Sequence, residues 1–165
     1  MPSPVLPVLA LDTATETIAA GVCADARVGA AGFTQTAPGG ALASTKLLPL
    51  LRSLLARAGM EWQDIGAIAY GQGPGAFTGL RTACAVAQGL GFGIGCRLLP
   101  IDSLLIVAED ARLQVGLPES GDVAVAMDAR MDEAYAAHYR WQGRRWHVVQ
   151  APALLTLPAL NAAWS

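Results

Sequence analysis

The sequence predicts an α/β fold in which helices cover a mixed β-sheet. Three observations predict it: a continuous apolar, β-branched opening run, leucines and small residues at helical spacing further on, and an element order of βββαβαβα. Val5 to Leu11 is the apolar run, and Asp12-Thr13-Ala14-Thr15-Glu16 stops it. Thr17 to Cys23 then resumes a strand pattern, so the two segments read as a β-hairpin. Asp25-Ala26-Arg27 turns the chain into a third strand, Val28 to Thr34, before Pro38-Gly39-Gly40 breaks the pattern.

Leu42 to Ala58 carries leucines at helical spacing, and Gly59 sits where a C-terminal cap belongs. Pro49 lacks an amide hydrogen and clashes with the carbonyl four residues back, so this helix is expected to start near Lys46 or to kink. Leu47, Leu51, Leu54 and Ala58 cover one side, while Leu48, Leu50 and Leu55 spread round the rest. Only a narrow polar strip at Arg52, Ser53 and Arg57 remains, so the helix wants two apolar neighbours.

Ile65 to Tyr70 reads as a short buried strand, Gly71 to Phe77 as a glycine-rich loop, and Thr78 to about Gly91 as a helix. A strand over Leu98 to Ile101 follows, and Asp102 is the expected N-cap of a helix through Val115, with Glu109 and Asp110 on its wet side. A second unit begins after the Gly116 to Gly121 loop, with strands at Val123 to Met127, Glu133 to Trp141 and Trp146 to Val149 and a helix starting at Thr156-Leu157-Pro158. The division expected is therefore a first lobe over 1–117 and an incomplete second lobe over 118–165.

Composition narrows the function classes. With 53% hydrophobic and 15% charged residues in 165, the chain has the makings of a packed core and not of a disordered segment. Eleven basic against thirteen acidic residues give a net charge of −2, which disfavours a module that holds duplex phosphates by its own field. Nucleic acid is expected to enter only through a partner. Cys23, Cys84 and Cys96 have neither disulfide-framework nor zinc spacing, and read as small buried thiols. No basic residue precedes Arg27, and the longest apolar run, Ala83 to Cys96, is too short and glycine-rich to span a bilayer. A cytoplasmic, soluble protein with no membrane contact is expected.

Gly71-Gln72-Gly73-Pro74-Gly75-Ala76-Phe77-Thr78-Gly79-Leu80-Arg81 is the most informative segment. Amides at the start of a helix, with Gly73 and Gly75 before it and Arg81 in its first turn, suit an anion. Equally, the glycines permit a tight strand-to-helix turn with Thr78 as N-cap. A P-loop is disfavoured, since no Gly-Lys-Ser/Thr occurs and Lys46 is the chain's only lysine. Asp12 ends the first strand with the hydroxyl residues Thr13, Thr15 and Thr17 beside it, either as part of a phosphate site or with Asp12 merely fixing the turn through nearby amides. His138 and His147, the only histidines, lack metal-ligand spacing and read as half-exposed strand residues. Asp128, Asp132 and Glu133 with Arg130 read as a solvated hairpin tip with internal pairing.

Gly79, Ala83, Ala87, Gly91 and Gly95 recur every four residues and make one helix face nearly flat. Such a face packs either against the chain's own sheet and first helix or against another subunit.

Leu9-Ala10-Leu11-Asp12-Thr13-Ala14-Thr15-Glu16, Ala69-Tyr70 running into the glycine segment, and Met127-Asp128-Ala129-Arg130-Met131-Asp132-Glu133-Ala134-Tyr135 together resemble the bacterial TsaB family, formerly YeaZ. The resemblance extends over about residues 5 to 150. It implies an actin-like ATPase, ribonuclease H-like fold with a mixed five-stranded sheet, followed by an abridged second lobe that opens with three strands. It further implies a non-catalytic paralogue of TsaD, the enzyme that transfers a threonylcarbamoyl group to N6 of the adenosine beside the tRNA anticodon. Family members pair with TsaD through their N-terminal helices and support recruitment of the ATPase TsaE, so ATP belongs to the assembled complex and no cofactor is expected on this chain. Carried onto this sequence, the interface with TsaD, or with a second copy, falls on Leu47, Leu48, Leu51, Leu54, Leu55, Gly79, Ala83, Ala87 and Gly91, and Ala83→Arg is expected to break pairing without unfolding. Asp12, Thr13, Gly73, Gly75, Thr78 and Arg81 become a vestigial phosphate site.

Two departures stand out. Leu42-Ala43-Ser44-Thr45-Lys46 lacks a histidine that many members carry before the first helix, and family chains usually continue further, so a fragment or short member is expected. The rival reading is an actin-like-fold hydrolase or kinase that binds nucleotide through Asp12 and the glycine loop. An older glycoprotease label disagrees with the absence of a metal-binding histidine pair.

Overall fold

The computed structural model describes residues 6–24, 32–117 and 119–164. Strands β1 (Val8–Asp12), β2 (Thr17–Cys23) and β3 (Phe33–Pro38) precede α1 (Ala43–Ala58), β4 (Ala67–Gly73), α2 (Phe77–Ile94) and β5 (Arg97–Asp102). The remaining elements are α3 (Ser103–Val115), β6 (Ser120–Arg130), β7 (Glu133–Gln142), β8 (Arg145–Thr156) and α4 (Leu157–Trp164). The order βββαβαβα is the expected one. Contacts divide the chain into Met1–Ile101 and Asp102–Ser165, so α3 groups with the second sheet, whereas the sequence placed the division after residue 117.

In the first unit the five strands lie in the order β3-β2-β1-β4-β5. β1 pairs antiparallel with β2 (Leu9 opposite Val22) and parallel with β4 (Leu9 opposite Ile68), which makes the sheet mixed. This is the ribonuclease H-like arrangement that the resemblance implies. The third strand lies later than expected, at Phe33–Pro38, where it pairs with β2; residues 28–31 of the expected strand fall outside the described residues. Alternation in β2 turns Ile18, Ala20 and Val22 inward, and Leu9 and Leu11 of β1 join them under α1 and α2.

Helix α1 starts at Ala43 and runs through Pro49 to a left-handed cap at Gly59 (φ +65°). The proline neither delays its start nor ends it. Leu47, Leu50, Leu51, Leu54 and Leu55 are all buried, and at roughly 1.5–3 kcal/mol each their burial outweighs the ~3 kcal/mol that an interior proline costs.

The second unit is an antiparallel β6-β7-β8 sheet. Asp102 caps α3 as expected, its Oδ1 accepting the Leu104 amide at 2.9 Å, while its Oδ2 accepts the hydroxyl of fully buried Tyr139. Burial, then that hydrogen bond, pushes the Tyr139 hydroxyl far above the usual tyrosine range. Glu109 was expected on the wet side of α3. Its side chain is indeed partly exposed, and it also accepts both the Arg112 guanidinium (2.7 and 2.8 Å) and the Trp146 indole N–H (2.9 Å), while Arg112 stacks 4.3 Å over Trp141. At the hairpin tip, Asp128 accepts the backbone amide of Arg130 at 2.8 Å.

The Arg112 hydrogen bond, with a smaller contribution from Trp146, holds the Glu109 carboxyl below its ordinary value of 4.5 despite partial burial. A carboxyl lowered on folding stabilises the folded state above its unfolded value and loses that contribution as pH falls through the folded one. The melting temperature is therefore expected to drop as pH is taken from 7 to 3, most steeply below about 4.5, and Glu109→Gln to flatten that drop. Identical acid profiles for the two proteins would show that the pair does not couple to folding. Because Glu109 is half-exposed, solvent screening keeps the effect small.

Candidate functional site

The turn after β1 and the start of α2 are sewn together. Asp12 Oδ1 accepts the Ala14 amide at 2.7 Å, which closes the turn as the second reading of Asp12 expects. Thr13 is 1% exposed and donates its hydroxyl to the Gly79 carbonyl at 2.6 Å. The Ala76 amide donates to the Ala14 carbonyl at 2.7 Å. Glycine is required at this junction for close approach: a Cβ at Gly79 would lie 1.8 Å from the Thr13 carbonyl oxygen, and one at Gly75 would lie 2.6 Å from the Ala14 Cβ.

The structure thus brings the Asp12–Ala14 turn against Gly75 and Gly79, with Gly79 on Thr13 and Gly75 on Ala14. A nucleotide phosphate approaching the Thr13 hydroxyl and the glycine backbone would first have to part these segments. Gly73 is the end of β4, which runs further into the glycine segment than the expected Tyr70, and its φ of +102° is one that glycine adopts without strain. Thr78 is not the N-cap. Ala76 occupies that position without a side-chain cap, because its tie to Ala14 sets the helix start and overrides capping propensity. Arg81 lies along the outside of α2, its guanidinium 4.0 Å from the Phe77 ring centre. Among the described residues no three His, Cys, Asp or Glu side chains converge as a metal site. Cys23, Cys84 and Cys96 are free thiols, partly buried where full burial was expected. Burial raises the Cys96 thiol above its usual value. His138 is partly buried, 3.4 Å from Asp122, whereas His147 is exposed.

The expected interface residues need correcting. Leu47, Leu51, Leu54, Leu55, Ala83 and Ala87 belong to the first unit's own core, and Gly79 and Gly91 are buried beside them. The flat face of α2 is spent inside the chain: Gly79 meets the Thr13 backbone, and a Cβ at Gly91 would lie 2.7 Å from Leu98. Of the residues expected, only Leu48, 42% exposed, is available to a partner. On the opposite side of α2 lie Gly89 and Gly93, where an added Cβ would meet nothing within 4 Å, and Phe92, 94% exposed. Helical spacing held this signal too, since Ala85, Gly89 and Gly93 repeat at the same interval as the buried set. Spacing alone does not say which of two small faces is inside.

The family model of TsaD, tRNA N6-adenosine threonylcarbamoyltransferase, matches residues 41–161. The Escherichia coli protein described as tRNA threonylcarbamoyladenosine biosynthesis protein TsaB is 35% identical over 165 residues, covering 95% of this chain and 68% of that one. The chain belongs to the TsaB (YeaZ) family. The Haemophilus influenzae TsaB is 39% identical over 90 residues, 54% of this chain and 37% of the relative. Among solved structures, YeaZ from Pseudomonas aeruginosa superposes with a TM-score of 0.81 at 36% identity, covering 91% of this chain and 67% of that one. The chain thus spans about two thirds of the length of the E. coli and P. aeruginosa relatives. No helix among the described residues is long and apolar enough to cross a membrane.

Proposed function

We propose that this chain is a non-catalytic subunit that pairs with TsaD, supports binding of TsaE, and so serves N6-threonylcarbamoylation of the adenosine adjacent to the tRNA anticodon. Membership of the TsaB family supports involvement in tRNA threonylcarbamoyladenosine biosynthesis. The observation that carries the pairing is Phe92, 94% exposed on α2 with Gly89 and Gly93 open beside it: a large aromatic standing on a flat surface. The closed junction of Thr13 with Gly79 supports the non-catalytic reading, because the groups a phosphate would need are engaged with each other. ATP then enters with TsaE, tRNA is held by the partners, and the assembly works in the cytoplasm.

Light scattering after size exclusion, on the chain alone and mixed with TsaD, tests the pairing. A one-to-one complex is the expected result. Phe92→Glu is expected to weaken it by at least about tenfold, as loss of a central aromatic does, without altering the melting temperature of the exposed position. A complex of undiminished affinity with Phe92→Glu would move the interface elsewhere, and absence of any complex with the folded chain would overturn the pairing itself. Nucleotide bound at millimolar ATP by the chain alone would revive the hydrolase or kinase reading.

A further inference from the structure

We draw no further inference here: the strongest candidate, the tip of the β6–β7 hairpin, where Arg130, Met131 and Asp132 all have positive φ and Met131 stands 92% exposed, is an unpartnered surface with nothing in the structure to show what covers it.

Discussion

Gly79→Ala is expected to lower the melting temperature of the chain by roughly 10 °C, a loss of about 3 kcal/mol at a few degrees per kcal/mol for a chain of this size. The added Cβ would sit 1.8 Å from the Thr13 carbonyl oxygen, closer than any non-bonded contact tolerates, so α2 or the turn after β1 must move. Movement costs about 1–3 kcal/mol in overpacking and lengthens the buried hydrogen bond from Thr13 to the Gly79 carbonyl, worth about 1–3 kcal/mol more. Helix propensity returns only ~1 kcal/mol of this. Gly89→Ala in the same helix meets nothing and is expected to raise stability by that smaller amount. Thermal melts of both variants check the pair of signs. If Gly79→Ala melts with the parent protein, the close approach of α2 to the β1 turn is not what holds this junction.

Ala83→Arg is expected to unfold the first unit, contrary to the use that helical spacing alone suggests for it. Ala83 is 0% exposed in the cluster that holds Leu9, Ile18, Leu51 and Ile68, and a guanidinium there would be buried without a counter-charge, at a cost above about 4 kcal/mol. Gly89→Arg, six residues along on the open side, is expected to fold normally and, on the proposed pairing, to lose binding to TsaD, because the side chain would then stand on the face proposed for the partner. Circular dichroism and a binding measurement on both variants separate the outcomes. A folded Ala83→Arg with native melting temperature would mean that the small face of α2 is not the inner one.

These two positions show where reading the chain stops being enough. Gly79, Ala83, Ala87 and Gly91 on one side and Ala85, Gly89 and Gly93 on the other both have the spacing of a flat helix face. Which is inside depends on how α2 is rotated about its own axis on the strands it covers, which its contacts with distant segments such as Thr13 and Leu98 set. The glycine segment behaves alike: its composition suits an anion site or a tight turn, and the contacts of Gly75 and Gly79 with Ala14 and Thr13, residues more than sixty positions away, favour the turn.

By itself the sequence determined what local chemistry and periodicity control. The element order, the hairpin after Asp12, the left-handed cap at Gly59 and the Asp102 cap of α3 follow from side-chain pattern within a few residues, and the family from three such segments taken together. Only the tertiary structure decided the late position of β3 against β2, the grouping of α3 with the second sheet, the continuity of α1 through Pro49, and the exposure of Phe92. Each of these depends on burial shared between distant segments, and a few kcal/mol of such burial outweighs the propensity of any single residue.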